Sequence, residues 1–456
     1  MPPTSESDVI VVGAGTAGSY AAATVARAGY DVTVLERKPE DEAGHIACGD
    51  ALKGAGAFPD SIPKSAFEHA ITNPDVDHGR FEIPAADTVL EIPVPGELAV
   101  VDRLAFGRAI IEGARDAGAQ FQFDTVVTDV RQDGTQVTGV EAIANGESGI
   151  YEAPVVVDAA GALSLLQDRA DLAETTFDTD VTYSQFTSAY REILEVPEPV
   201  DYEDALVFKP TDRAEGYIWY FPRSPTEINA GLGFQMTAEP MELVRELRED
   251  LQSRPEFENA TVTDKLGAAI PTRRPYDSAV APGYLAAGDA AGHVNPTTGG
   301  GIAGAAYAGT YAGEAAVTGL DAGDVGEETL WEYNERVMEH FGGRYASLDV
   351  YNILTTAVEV EELMDLLASI PAGKISEALY AGTADFDWGM KLRTLLGGLS
   401  HWRLLYRFYR TKDAADRLLD HYETYPSSPA GFADWQQERD ELMNDVYRVT
   451  GAQPKY

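Results

Sequence analysis

The chain has 456 residues, 44% of them hydrophobic, enough for two or three domains with ordinary cores. Its 34 basic and 75 acidic residues give a net charge of −41, spread along the chain. That excludes nonspecific nucleic-acid binding and points to a halophilic source, whose high salt screens self-repulsion, over a basic partner, which would need one concentrated patch.

Cys48 is the only cysteine, so no intrachain disulfide forms. There is no basic-then-apolar leader at the start and no apolar stretch of about eighteen residues, so a cytoplasmic protein, soluble or peripheral, is expected.

In chain order, the apolar run 9–12 predicts a strand buried on both faces. Gly13, Gly15 and Gly18 follow in the spacing G-x-G-x-x-G, then an Ala-rich helix over 19–28 and a second apolar run, 32–35, ending at Glu36. This is a strand–turn–helix–strand unit for a dinucleotide. Gly13 permits the tight turn, Gly15 lets a pyrophosphate approach the backbone, and Gly18 lets helix and strand pack closely. The helix start offers N–H groups to phosphate. Glu36 stands where a carboxylate accepts from ribose hydroxyls and repels a 2′-phosphate. The same spacing recurs at Gly299, Gly301 and Gly304, but it follows no strand and no acidic partner comes after it.

A small-residue loop, Ala47-Cys48-Gly49-Asp50-Ala51-Leu52 continuing to Gly56, should run along the cofactor, because bulk is avoided where backbone meets a flat ligand. Residues 70–100 read as short strands joining a second sheet. Arg103 opens a helix over 104–117 that stops at Gly118. Strands follow over 120–127 and 137–143, then a buried parallel strand at 155–158. Residues 175–236 alternate and are aromatic-rich, an antiparallel sheet with a helix over 241–251 packed on it. The strand over 262–270 leads back to Tyr284-Leu-Ala-Ala-Gly288-Asp289 and a small-residue helix over 303–320. Residues 327–456 read as helices.

An apolar strand ending in Gly288-Asp289 has the form of a second flavoprotein fingerprint, with the Asp at the ribityl and pyrophosphate of FAD and the following helix start near the flavin ring. Alone, Asp289 would serve equally as a helix N-cap. With Arg103 at a helix start, three segments converge on one FAD.

The chain resembles the geranylgeranyl reductase family, within the broader para-hydroxybenzoate-hydroxylase-like flavoproteins. The residues that carry the likeness are Gly13-Ala-Gly15-Thr-Ala17-Gly18, Glu36-Arg37, Cys48-Gly49-Asp50, Val101-Asp102-Arg103, Tyr217-Ile-Trp219-Tyr-Phe221-Pro222, and Gly288-Asp289-Ala-Ala-Gly292 with Pro296-Thr-Thr-Gly-Gly-Gly301-Ile302. Cys-Gly and Tyr-x-Trp-x-Phe-Pro point to the reductase branch. The family's proline three residues before the Tyr is Ala214 here.

The resemblance implies an α/β fold: a discontinuous FAD-binding Rossmann-like domain (1–70, 100–170 and 270–326), an antiparallel-sheet substrate domain (71–99 and 171–269) and a helical C-terminal region (327–456). It implies saturation of geranylgeranyl chains, as in archaeal ether lipids, or of geranylgeranyl diphosphate or a prenylated quinone. Contacts with FAD would fall on Ala17, Glu36, Cys48, Gly49, Ala51, Arg103, Val127, Asp289, Gly301 and Ile302, with Arg37 beside Glu36.

Such a reaction adds hydride from reduced FAD and a proton across an unactivated C=C bond, so the site must hold the olefin flat and exclude water. Tyr217, Trp219 and Phe221 alternate and share one strand face, as pocket wall or as sheet core. Cys48 could donate a proton or gate the loop, or be a small buried apolar side chain. Its electrons would come from transiently bound NAD(P)H or from a ferredoxin.

Two rival readings are a flavin monooxygenase or halogenase, and a non-catalytic lipid-binding flavoprotein. The lysine and Gly-Trp-x-Trp-x-Ile setting of a halogenase are absent from the sequence. Finally, residues 388–412 contain no acid and six of the 34 basic residues, interleaved with Leu, Trp, Tyr and Phe. They are expected to break at Gly397-Gly398 and to form a short cationic helix over 401–412. That helix would either contact the membrane or pair with acids of neighbouring helices.

Overall fold

The computed structural model describes residues 4–53, 58–84, 88–94, 97–211, 216–236, 239, 241–358 and 402–456. The expectations for Gly54 to Gly56, the turn at Ala214 and the break at Gly397-Gly398 lie outside these residues.

Val9–Val12, Val32–Leu35 and Val155–Asp158 are wholly buried, as strands covered on both faces must be. They form the centre of a six-stranded sheet in the order Val280–Ala281, Tyr284–Ala286, Val155–Asp158, Val9–Val12, Val32–Leu35, Gln120–Gln122. All pairs are parallel except the edge pair Val280–Ala281 with Tyr284–Ala286. The helix Thr16–Arg27 follows the first strand, and Ile302–Ala322 crosses it backbone to backbone. A Cβ added at Gly309 would stand 2.1 Å from the Ala17 carbonyl oxygen, and one at Gly313 2.8 Å from that of Ala21. The small residues of the later helix are therefore needed for this close crossing. Among the described residues no helix is long and apolar enough to cross a membrane.

The single strand expected over 120–127 is two strands in two sheets. Gln120–Gln122 ends at the parallel sheet, Asp124 takes a left-handed φ of 51°, and Thr125–Asp133 enters a second sheet with Gln136–Ala144, Glu147–Glu152 and Thr4–Glu6. Continuous β-propensity hid the corner, because nothing but Asp124 marks it.

A seven-stranded sheet follows the order Thr261–Pro271, Phe186–Glu195, Glu227–Gln235, Gly216–Ser224, Ala205–Pro210, His78–Ile83, Thr88–Pro93. It is antiparallel except where Ala205–Pro210 meets His78–Ile83. Its period-two alternation sorts side chains onto two faces. Ile218, Tyr220, Ala230, Leu232 and Phe234 pack under the helix Met241–Ser253 through Leu243 and Leu247. Ala189, Leu206, Trp219 and Phe221 face the other way, onto Leu98 and Val100 of a three-stranded sheet, Ala51–Lys53, Leu98–Val101 and Ile71–Asn73.

The C-terminal helices pack mainly onto the nucleotide-binding part: Trp331, Val350, Leu418 and Trp435 belong to the same cluster as Val9 to Val12, while Leu354, Val358 and Leu404 form a small cluster of their own. The expected short helix over 401–412 is instead Trp402–Tyr422, running nearly three turns further, because Ala414, Ala415 and Leu418 continue its buried stripe.

Candidate active site

The glycines of the first turn divide into two kinds. Gly13 has φ +100°, and a Cβ there would stand 2.4 Å from the Ala159 carbonyl oxygen; one at Gly18 would stand 1.9 Å from that of Gly13. Those two are demanded by the protein's own packing. At Gly15 an added Cβ would meet only Ile46 Cδ1, at 3.8 Å, so the protein leaves room above this residue. No side chain caps the helix Thr16–Arg27, which leaves its first N–H groups for a phosphate. Glu36, 8% exposed, accepts from the N–H of Ala14 at 2.8 Å through one carboxylate oxygen and from that of Lys38 at 2.9 Å through the other. Each oxygen keeps a further lone pair for a ribose hydroxyl. Arg37, next to it, is exposed. Val127 stands in the neighbouring sheet, half-buried, two residues beyond the N–H of Thr125 that bonds the Glu36 carbonyl.

The second segment is the helix Arg103–Ala117, capped by Asp102, whose carboxylate accepts from the Ala105 N–H at 2.9 Å. Arg103 is 4% exposed. Its Nη2 donates to Thr16 Oγ1 at 3.2 Å, whereas its buried Nη1 has no partner among the described residues. A buried unpaired guanidinium N–H is costly, and an anionic ligand group would satisfy it. The third segment follows the strand Tyr284–Ala286. Gly288, at φ +69°, presses on Ala17, and Asp289 opens a short helical turn. Desolvation pushes the Asp289 carboxyl up to about 6 while Arg103 opposes the shift. Gly301 lies over it, since a Cβ there would stand 3.5 Å from Asp289 Oδ1. Ile302 begins the long helix, with no side-chain cap at its start.

Cys48 and Gly49 meet the aromatic wall. A Cβ on Gly49 would stand 3.0 Å from Phe221 Cε2 and 3.5 Å from Trp219 Nε1. Tyr217, Trp219 and Phe221 lie in a row, with centroid separations of 6.0 and 6.2 Å, and Phe208 sits edge-on to Tyr217 and Phe221. Tyr217 also donates to the Thr298 carbonyl at 3.0 Å, which joins the wall to the loop before Gly301. The half-buried Cys48 thiol accepts from the Asp50 N–H at 3.2 Å. Burial and the Asp50 carboxylate push it above the usual thiol range, against Arg103 and Arg191. Ala51 continues from this loop into the three-stranded sheet opposite Val100.

The residues that sequence reasoning missed hold this loop from below. Asp50, fully buried with φ 68°, binds Arg223 at 2.7 Å and Asn229 at 2.6 Å. Arg223 also reaches Glu227 at 3.0 Å. Asn229 sits in an otherwise apolar strand, and a polar side chain there must be bonded if buried; that was the available signal.

The FAD binding domain family matches residues 6–336. The digeranylgeranylglycerophospholipid reductase of Sulfolobus acidocaldarius is 26% identical, over 96% of this chain and 97% of its own. Digeranylgeranylglycerophospholipid reductase 2 of Methanopyrus kandleri is 30% identical, over 82% and 95%. In fold, a geranylgeranyl bacteriochlorophyll reductase-like protein of Thermoplasma acidophilum superimposes with a TM-score of 0.72 at 23% identity, over 82% of this chain and 96% of its own. The chain thus belongs to the FAD binding domain family and, within it, to the family of the digeranylgeranylglycerophospholipid reductases.

Proposed function

We propose that this protein is an FAD-dependent reductase that saturates C=C bonds in the geranylgeranyl chains of archaeal ether phospholipids. The substrate class rests on its relatives' names. The observation that carries the site is the closure of Gly49 on Phe221 and Trp219, which sets the only cysteine beside an apolar wall.

The residues present suit FAD. The room above Gly15 and the uncapped helix start would take the pyrophosphate, Glu36 the adenosine ribose, and the unpaired Arg103 Nη1 with Asp289 the region between pyrophosphate and ribityl chain. Ala17, Ala51, Val127, Gly301 and Ile302 would shape the cleft around them. When bound and reduced, FAD supplies a hydride.

The chain's own residues do the rest. Tyr217, Trp219, Phe221 and Phe208 would hold a prenyl chain flat and keep water out. Cys48 would hold a proton at Sγ and give it to the carbon that does not receive hydride. Its burial keeps that proton in place at neutral pH, and Arg103 and Arg191 favour the thiolate left behind. The experiment that tests this reading is anaerobic: prenyl phospholipid is added to the pre-reduced protein, and flavin reoxidation is followed. The electron donor in the cell would be NAD(P)H or a ferredoxin.

We further infer that the protein touches anionic membrane through Trp402–Tyr422. Of the basic window, residues 388–401 lie outside the described ones. In the remainder Arg403, Tyr406 and Tyr409 are exposed, Tyr409 at 68%, and Arg410 Nη1 donates to the Tyr406 hydroxyl at 3.2 Å. Arg407 differs from the expectation: it turns inward and donates to the carbonyls of Ala357, at 3.0 Å, and Thr450. Tyr406→Ser, Tyr409→Ser and Arg410→Gln together should release the protein from anionic liposomes at low salt with FAD still bound. Arg407→Gln should instead lose about 1–3 kcal/mol of stability. A triple variant that pellets like its parent would contradict the membrane contact.

A further inference from the structure

Behind the thiol loop one side chain makes three bonds that no local motif announces. Asn229 is fully buried. Its Nδ2 donates to the Cys48 carbonyl oxygen at 2.8 Å and to Asp50 Oδ2 at 2.6 Å, and its Oδ1 accepts from Trp219 Nε1 at 2.9 Å. Two of the partners, Cys48 and Asp50, lie on the loop before Ala51–Lys53, and the third, Trp219, lies in the seven-stranded sheet. Asn229 lies on Glu227–Gln235, paired with Ile193, and Trp219 lies on the adjacent Gly216–Ser224. Gly231, two residues on, leaves the space the indole occupies: a Cβ there would stand 2.3 Å from Trp219 Cζ2.

Asp50 is locked in turn. Arg223 pairs with it and reaches Asp102, the cap of the helix that begins with Arg103, at 3.7 Å. Asp50 holds a left-handed φ of 68°, which costs a non-glycine residue energy and persists only where surroundings enforce it. Here the enforcement is Asn229 and Arg223 together on its carboxylate, while its N–H points at the Cys48 sulfur.

We propose that Asn229 is a positioning residue that fixes the Cys48 thiol relative to the Trp219 ring, so that proton donor and olefin-holding wall keep one geometry. The proposal rests on the reading of Cys48 and Trp219 as parts of the reductase site. Any rotation of the indole away from Asn229 Oδ1 frees the amide that holds the Cys48 carbonyl. Loosening the loop swings Gly49 off Phe221 and opens the thiol to water. Asn229 touches neither substrate nor flavin in this role.

The test uses the full-length FAD-loaded protein, with iodoacetamide as probe. Cys48 is the only cysteine, so its alkylation rate at one fixed pH is read without interference. Asn229→Ala is expected to keep FAD, to alkylate about tenfold faster than the parent, and to lose kcat more than it raises KM for the prenyl lipid. Asn229→Asp keeps the acceptor for Trp219 but sets a carboxylate against Asp50, and should alkylate faster than the parent but more slowly than Asn229→Ala, because the added carboxyl disfavours the thiolate. Trp219→Phe keeps an aromatic ring but removes the indole N–H together with the fused five-membered ring. It changes no residue of the loop and should raise the alkylation rate severalfold, and it serves as the test if the Asn229 variants do not fold.

Alkylation at the parent rate in a folded Asn229→Ala or in Trp219→Phe would overturn the proposal. The labelling needs no turnover. A Cys48→Ala protein that reduces lipid at the parent rate would remove the proton-donor reading while leaving the alkylation result to stand on its own.

Discussion

Cys48→Ala is expected to bind FAD like the parent and to reduce prenyl chains about a hundredfold or more slowly, the low end of what a positioned proton donor contributes. The loop should survive the change, because it is held through the Cys48 carbonyl by Asn229, at 2.8 Å, and through Asp50, whereas the sulfur contributes its contacts with the Asp50 N–H, at 3.2 Å, and with Arg103. Cys48→Ser keeps the shape but offers a far less acidic proton and should fall between. Four charged or titratable side chains, Asp50, Arg103, Arg191 and Tyr217, face the thiol electrostatically. With burial the largest influence, its pKa lies above the usual thiol range, so the protonated form persists through neutral pH. The parent rate should therefore be flat near neutrality and fall only as pH rises through that elevated value, and the residual rate of Cys48→Ala should lack this fall. Single-turnover reoxidation of reduced flavin by lipid, without oxygen, measures both. An unchanged rate in Cys48→Ala would make the residue a packing element.

Glu36→Arg should lose FAD affinity by on the order of a hundredfold while the protein remains folded. The carboxylate bonds two backbone N–H groups, those of Ala14 and Lys38, at the mouth of the glycine turn. Arginine accepts no bond, so both donors are orphaned at about 1–3 kcal/mol apiece where buried, and the glycine turn proposed to take the pyrophosphate is deformed. Glu36→Gln retains one acceptor and sets its amide donor against the other N–H, so its loss should be smaller. Titration of the apoprotein with FAD, followed by flavin fluorescence, ranks the parent, Gln and Arg forms. Equal affinity in all three would place the ribose elsewhere.

The chain displayed its nucleotide half plainly. Strand, glycine turn, helix and acidic strand end lie within one short stretch, and the physical demands on Gly13 and Gly18 are local enough to be seen in spacing alone. Gly288-Asp289 and the small-residue helix were legible for the same reason. The inner half of the site was legible only at its two ends. Cys48-Gly49 and Tyr217-Ile-Trp219-Tyr-Phe221 could be named, but not that one closes on the other, since 168 residues separate Gly49 from Tyr217. What joins them, Asn229, Arg223 and the left-handed Asp50, depends on pairing between strands from distant parts of the chain, and register is set by tertiary packing. The basic window shows the converse. Composition picked out the helix, but only its packing shows that Arg407 points inward while Tyr406 and Tyr409 point out.

Reductase activity is read by incubating the purified FAD-loaded protein, reduced chemically without oxygen, with a digeranylgeranylglycerophospholipid, and following flavin absorbance and lipid mass together. The predicted result is reoxidation of the flavin with one C=C bond saturated per flavin in a single turnover, seen as a gain of two hydrogens in the lipid. A folded, fully reduced protein whose flavin stays reduced and whose lipid keeps its mass would contradict the account.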